Sequence, residues 1–338
     1  MENLMELLKI LCEAQGTSGD EDAAAAQAAA AELGFCDTVE IDSLGGVHAF
    51  WGDPEAERQV MLDAHLDSIG LTVTGIDPEG FLTVASVGGM DRRVLTGARV
   101  LVFGRETLPG VVSCLPPHLM EGGAEKAPEV ADLAIDVGLT KEEAERLVAP
   151  GDRVLVPASV CALQNGRVTG TALDDRAGCA AVILAAKEIV KASPKLGLHV
   201  VLSSKEETGG QGAQVQSFRH EPTEALVVDV TFATQEGVSA KEAMELGKGP
   251  AIGYAPLLDK GVTDGLKAAA RRAGIPFQME IMGRGTGTNA DEIAVSRRGV
   301  RCGLVSIPQR NMHTPVEVCD LKDIEQTAQL LAAYVLGE

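Results

Sequence analysis

Residues 171–210, TALDDRAGCAAVILAAKEIVKASPKLGLHVVLSSKEETGG, decide the fold. The run AGCAAVILAAKEIV (177–190) reads as a helix and GLHVVLSS (197–204) as a strand, so one strand-helix alternation is written out in full. Both junctions are acidic. Asp174, Asp175 and Arg176 stand where a strand should end and the helix begin, and Glu206 and Glu207 follow the strand. Open α/β sheets bind ligands outside the carboxyl ends of their strands, which makes these junctions the places to look for chemistry.

The alternation continues on both sides. Downstream lie the strands EALVVDVT (224–231), FQMEIM (277–282) and CGLVSIP (302–308), with the amphipathic helices DGLKAAARRAG (264–274) and LKDIEQTAQLLAAYVL (321–336). Upstream, QVMLDAHLD (59–67) is apolar enough for a central strand, preceded by strand-like TVEID and VHAFWG. Leu4, Leu7, Leu8 and Leu11 follow helical spacing, and an alanine-rich run predicts a second helix capped by Ser18 with Glu21 in the box position. This is an α/β pattern, expected to form a three-layer sandwich around a mixed central sheet.

Residues 69–163 break the pattern. IGLTVTGI, FLTVASV, ARVLVFG, GVVS, DLAIDVG and DRVLVPASV are short strand-like runs joined by Gly- and Pro-rich turns, and TKEEAERLV, capped by Thr140 with Glu143, is the single helix predicted there. We therefore expect a main domain from 1–68 and 164–338, and an inserted small β-barrel-like domain from 69–163.

Composition narrows the function. With 29 basic against 49 acidic residues the net charge is −20, and no Lys/Arg-rich run offers a nucleic-acid or anionic-membrane surface. The seven cysteines are scattered and never spaced as CxxC, which fits reduced thiols in a cytoplasmic setting. The start, MENLMELLKILCEAQG, has neither a basic leader nor a long apolar stretch, and no run is long enough to span a membrane.

Potential ligands recur at the strand ends: His65 and Asp67, Asp174, Glu206 and Glu207, Asp229, and His313. Each alone has an ordinary explanation, such as a structural histidine, a helix cap worth about 0.5 to 2 kcal/mol, or a solvated glutamate pair. Asp229 is harder to dismiss, because a carboxylate after ALVV needs donors, a counter-charge or a metal. Together, two histidines and three carboxylates supply what two zinc-like ions about 3.5 to 4 Å apart require, leaving one glutamate free as a base.

In chain order, His65 in DAHLDSIGL, Asp174 in ALDDRAGC, Glu206 and Glu207 in KEETGGQGA, Asp229 in VVDV and His313 in MHTPVE resemble the motif series of the tetrahedral aminopeptidase family. That family includes glutamyl and deblocking aminopeptidases, some labelled endoglucanases. GGMDRRVLTGARVLV and IDVGLTKEEAERLVAPGD in the insertion are also similar to family stretches. The resemblance implies a zinc-exopeptidase-like fold and two divalent ions per chain, zinc or cobalt first and manganese next. His65 and Asp229 would hold one ion, Glu207 and His313 the other, and Asp174 would bridge them. Glu206 would be the general base, and Asp67 would accept the second N–H of His65 and fix its tautomer. A cis peptide between Asp174 and Asp175 is implied, with Asp175 and Arg176 as structural support. Short peptides would lose N-terminal residues one at a time. The insertion would mediate dimers, and six dimers would build a tetrahedral dodecamer.

Three departures from the family pattern bear on substrate preference: Ser68 for a glutamate, Asn289 in GTNADE for an aspartate, and Asn311 in RNMH for a tyrosine. They keep two alternatives in view, a related dimetal exopeptidase or amide hydrolase with another substrate, and a metal-binding scaffold with weak turnover. A glucanase would need sugar-stacking aromatics, and seven Phe, two Tyr and one Trp are few. His118 in LPPHLM resembles a family position with a structural role, and His48, His199 and His220 match no ligand motif.

Overall fold

A computed structural model describes residues 2–114 and 127–337; His118 lies outside the described residues. At its centre is a mixed sheet in which Gly197–Ser203, Gln59–His65, Glu224–Phe232 and Arg301–Arg310 run parallel side by side. Val47–Gly52 and Thr38–Ile41 extend one side antiparallel; Glu317–Asp320, Arg167–Gly170 and Cys161–Ala162 extend the other. Ala251–Tyr254 branches off Arg301–Arg310 and carries Gln278–Ile281.

Helices cover both faces. On one side Glu2–Cys12, Ala25–Glu32, Leu173–Ala192, Lys260–Ala273 and Leu321–Leu336 enclose the larger core; on the other, Gln211–His220 and Ala290–Ala294 cover Met61, Val201 and Val227. The small residues of Leu173–Ala192 explain its central place: Ala177, Gly178, Ala180 and Ala181 let it lie close on the sheet, against Leu330 and Leu331 of the last helix. Each such leucine, fully buried, contributes about 1.5 to 3 kcal/mol. The three-layer α/β sandwich is the architecture the alternating pattern predicts.

Within the insertion, Gly70–Ile76, Leu82–Val87, Ala134–Asp136, Thr107–Val112, Arg99–Phe103 and Arg153–Leu155 close into a six-stranded barrel with its own core of Leu71, Val84, Val102 and Ile135. Its helix Lys141–Leu147 begins with the Thr140–Glu143 capping box. The barrel's last strand ends at Leu155, and Cys161–Ala162 pairs with Arg167–Gly170 in the large sheet, so the crossing between the two cores lies upstream of residue 163. Cys161 faces Thr169 across a short hairpin that begins just after the run DRVLVPASV (152–160).

The N-terminal cap differs from expectation. The alanine-rich helix starts at Ala25, Ser18 Oγ meets Thr208 Oγ1 at 2.8 Å, and Glu21 is buried with Oε1 accepting from Lys205 N at 3.1 Å. Both residues tie the N-terminal segment to the loop that carries Glu206 and Glu207 instead of capping the alanine-rich helix, and Glu21 opens a single 3-10 turn, Glu21–Ala23, ahead of it.

Candidate metal centre

The strand ends converge at one edge of the central sheet. His65 closes its strand in register with Ser203, whose strand runs on into Glu206 and Glu207. Asp229 lies near the end of the next parallel strand, and His313 sits in the turn between Arg301–Arg310 and Glu317–Asp320. Asp174 and Asp175 precede the first regular turn of the long central helix, and the peptide between them is cis.

Asp174 occupies the middle. Its Oδ1 is 3.1 Å from His65 Nε2 and its Oδ2 is 3.4 Å from His313 Nε2, so one carboxylate faces two imidazoles through opposite oxygens. Glu207 Oε2 is 3.4 Å from the same His313 nitrogen. Ligand atoms of His65, Asp174 and Glu207 lie within 4.8 Å of one another, as do those of His65, Asp175 and Asp229. Five sequence-predicted residues thus come together with Asp175 beside them. Asp175 is already engaged: its Oδ1 accepts from Gly178 N at 3.1 Å and its Oδ2 from His65 N at 3.3 Å.

Buried supports hold this arrangement. Arg176, fully enclosed, donates to the carbonyls of Leu66, Leu11, Ala14 and Gly16, which fixes the chain just after His65. The Asp67 carboxylate accepts from Glu206 N at 2.9 Å and Glu207 N at 3.2 Å, bracing the glutamate loop. His65 Nδ1 is 3.1 Å from the Asp67 backbone oxygen and 3.5 Å from its Oδ1, so the main chain offers the shorter contact expected of the side chain. With Nδ1–H donating there, Nε2 is the nitrogen turned to Asp174 and the one a cation would take.

Glu317 is a residue the sequence reading passed over, although it closes the quoted MHTPVE. One oxygen accepts from Asp174 N at 3.1 Å and the other from His313 N at 3.2 Å, so a single buried carboxylate positions two of the converging residues. The barrel reaches the centre too. Asp91 N donates to His313 O at 3.2 Å, and a Cβ added to Gly89 would come 2.7 Å from His313 Nδ1. Only glycine leaves room for that approach.

The charge balance is negative. Burial pushes Glu207 up to about 9, raises Asp175 and Asp229 well above the carboxylate range, and raises Glu206. Asp174 moves the other way despite its burial, because His313 and His65 hold it low. His65 is raised, its own burial outweighed by Asp174 and Asp67. Glu207 Oε1 is buried without a hydrogen-bond partner. Clustered buried carboxylates with an orphaned oxygen and two imidazoles form a donor set that fits divalent cations.

That imbalance has a measurable sign. Between about pH 4.5 and about pH 9 the folded, metal-free chain binds more protons than the unfolded one, because the folded-state pKa of Glu207 and its neighbours is raised. The stability of metal-free protein is therefore expected to fall as pH rises through this window, and added zinc to reverse the slope. Thermal melts with and without zinc check this; a metal-free melting temperature that rises with pH contradicts it.

A model of the M42 glutamyl aminopeptidase family matches residues 45–330. The chain belongs to this family. An M42 assignment agrees with the relatives: the lysyl aminopeptidase of Pyrococcus furiosus is 34% identical over 340 residues, covering 98% of this chain and 96% of the relative. An aminopeptidase from the archaeon Desulfurococcus kamchatkensis superposes with a TM-score of 0.91 at 34% identity, covering 99% of this chain and 94% of that one. The TET1 peptidase of Pyrococcus horikoshii, which can assemble into a tetrahedron or a large octahedral shell, superposes with a TM-score of 0.86 at 30% identity, covering 98% of each chain. The protein is a peptidase.

The three departures from the M42 pattern all have structural partners. Ser68 Oγ donates to Gly16 O at 3.4 Å; Asn289 Nδ2 donates to Asp63 Oδ2 at 2.9 Å and to Ser203 Oγ at 2.7 Å; Asn311 Nδ2 donates to Val316 O at 3.1 Å. Asn289 is buried. Asp63 precedes His65 by two residues on the same strand, and burial pushes its carboxyl up to about 7. An aspartate at 289 would set a second carboxylate against it without the donor.

Proposed function

We propose that the protein is an aminopeptidase that removes N-terminal residues from short peptides at a centre of two divalent cations. The observation that supports it most is Asp174, set between His65 and His313 through opposite oxygens, with the orphaned Glu207 oxygen alongside. His65 and Asp229 would hold one cation and Glu207 and His313 the other, with Asp174 shared between them. Zinc or cobalt suits this mixture of imidazole and carboxylate, with manganese next. Bound there, the cations supply a polarised scissile carbonyl and a water acidic enough to ionise near neutrality.

Glu206 moves the proton. Its backbone is pinned by Asp67 while its side chain remains partly accessible, and burial lifts its carboxyl toward the pH at which it works as base and then acid. It takes a proton from the attacking water and returns it to the leaving amine. Asp67 acts at one remove, holding the loop of Glu206 and Glu207 and, through its carbonyl, the His65 ring.

The barrel serves as a dimerisation domain and six dimers form a dodecamer, a reading supported by the assembling TET1 relative. Cys12, Cys179, Cys302 and Cys319 are buried free thiols, which supports a reducing, cytoplasmic setting, and no helix among the described residues is long and apolar enough to cross a membrane. Stripping metal should abolish hydrolysis of aminoacyl reporters, and zinc or cobalt should restore it for free-amine substrates while N-acetylated twins stay intact. Equal cleavage of blocked substrates would sink the aminopeptidase reading.

A further inference from the structure

We propose that His48, His199 and His220 form a separate, three-histidine site for an imidazole-preferring divalent cation such as zinc. Register assembles it. His48 pairs with Val201 and His199 with Phe50 on adjacent antiparallel strands, so the two histidines are diagonal neighbours on one face. His220, the last residue of Gln211–His220, covers that face, its ring 3.7 Å from that of His48 and 5.1 Å from that of His199. Ligand nitrogens from all three lie within 4.8 Å of one another. The site stands apart from the peptidase centre, since His199 is four residues, or about 13 Å of strand, before Ser203.

A hydrogen bond turns the His199 lone pair inward. His199 Nε2 is 3.1 Å from Gln59 Oε1, an acceptor, so Nε2 carries the hydrogen and Nδ1 is left bare. His48 Nδ1 faces the Glu40 carboxylate at 3.6 Å, a carboxylate able to receive the ring hydrogen when Nε2 turns to a cation. His48 Nε2 and His199 Nδ1 stand 3.1 Å apart, a hydrogen bond in which His48 donates to the bare His199 nitrogen; a cation takes the place of that hydrogen once it moves to His48 Nδ1. Two nitrogens on one tetrahedral zinc at about 2.0 Å stand about 3.3 Å apart, close to this separation. His220 Nε2 is buried and has no hydrogen-bond partner, which leaves it free to turn toward the same point.

The setting suits a cation with an open position. A cavity of about 570 Å³ adjoins the rings, lined also by Glu40, Gln59, Arg219 and Glu221. Arg219 is the one cation at hand, and its guanidinium is paired with Glu40. Burial and the neighbouring rings hold His48 down to about 3 and His199 down to about 4, so both are neutral and able to coordinate at physiological pH.

Zinc content after equilibrium dialysis of the full chain tests this, in an Asp174→Asn background that empties the peptidase centre. One zinc per chain is expected to remain, and it should disappear when His199→Gln and His220→Gln are added. The difference between these two proteins reads the histidine site even if Asp174→Asn fails to clear the other centre. His220→Gln alone, a change at a half-buried helix end, covers the case in which the double variant misfolds; it should remove the intense visible bands that cobalt gives in a tetrahedral, nitrogen-rich site. No zinc in the Asp174→Asn protein, or zinc and cobalt bands that survive the histidine substitutions, would leave only a hydrogen-bonded histidine pair and overturn the proposal.

Discussion

Glu206→Gln is expected to lower kcat for a free-amine peptide by about 10³, within the 10²–10⁴ range for loss of a general acid–base. The amide keeps the size of the side chain and cannot take a proton. Metal content should not change, because Glu206 is outside the proposed ligand set and its N–H still meets Asp67. KM should move little, since the lost interaction belongs to the proton transfer. The matching change at the next residue must behave differently: Glu207→Gln weakens a ligand, so its lost turnover should return as zinc is raised. A Glu206→Gln enzyme that keeps a tenth or more of its turnover would remove the base assignment.

Asp174→Asn should be more damaging. Asn matches Asp in shape but carries no charge, and the carboxylate sits between His65 and His313 within 3.4 Å of both. Loss of an indirect support to a metal ligand typically costs 10–100-fold in affinity, so loss of the bridging carboxylate should cost at least about 100-fold for both cations. Turnover should fall to background and return incompletely at high zinc. Two tightly bound cations per chain beyond the histidine site would contradict the bridging role.

Much of this was legible in the sequence because strand ends in an α/β sheet are predictable places. His65, Asp174, Glu206, Glu207, Asp229 and His313 each terminate or follow a readable apolar run, and order along the chain linked them. What escaped depends on contacts between distant segments. Glu317 and Glu21 act by accepting backbone N–H groups, a role that leaves no spacing in the chain. Ser18 matches a helix cap in sequence, yet its hydroxyl meets Thr208 instead. His48, His199 and His220 come from two strands and a helix, and only the antiparallel register brings them together.

The central claim is a pair of cations sharing Asp174, and an anomalous difference map at the zinc edge from zinc-loaded crystals tests it most directly. Two peaks about 3.5 to 4 Å apart are predicted at this centre, one against His65 and Asp229, the other against Glu207 and His313, with Asp174 between them. A single peak there, or paired peaks that leave Asp174 out of contact, would contradict the account.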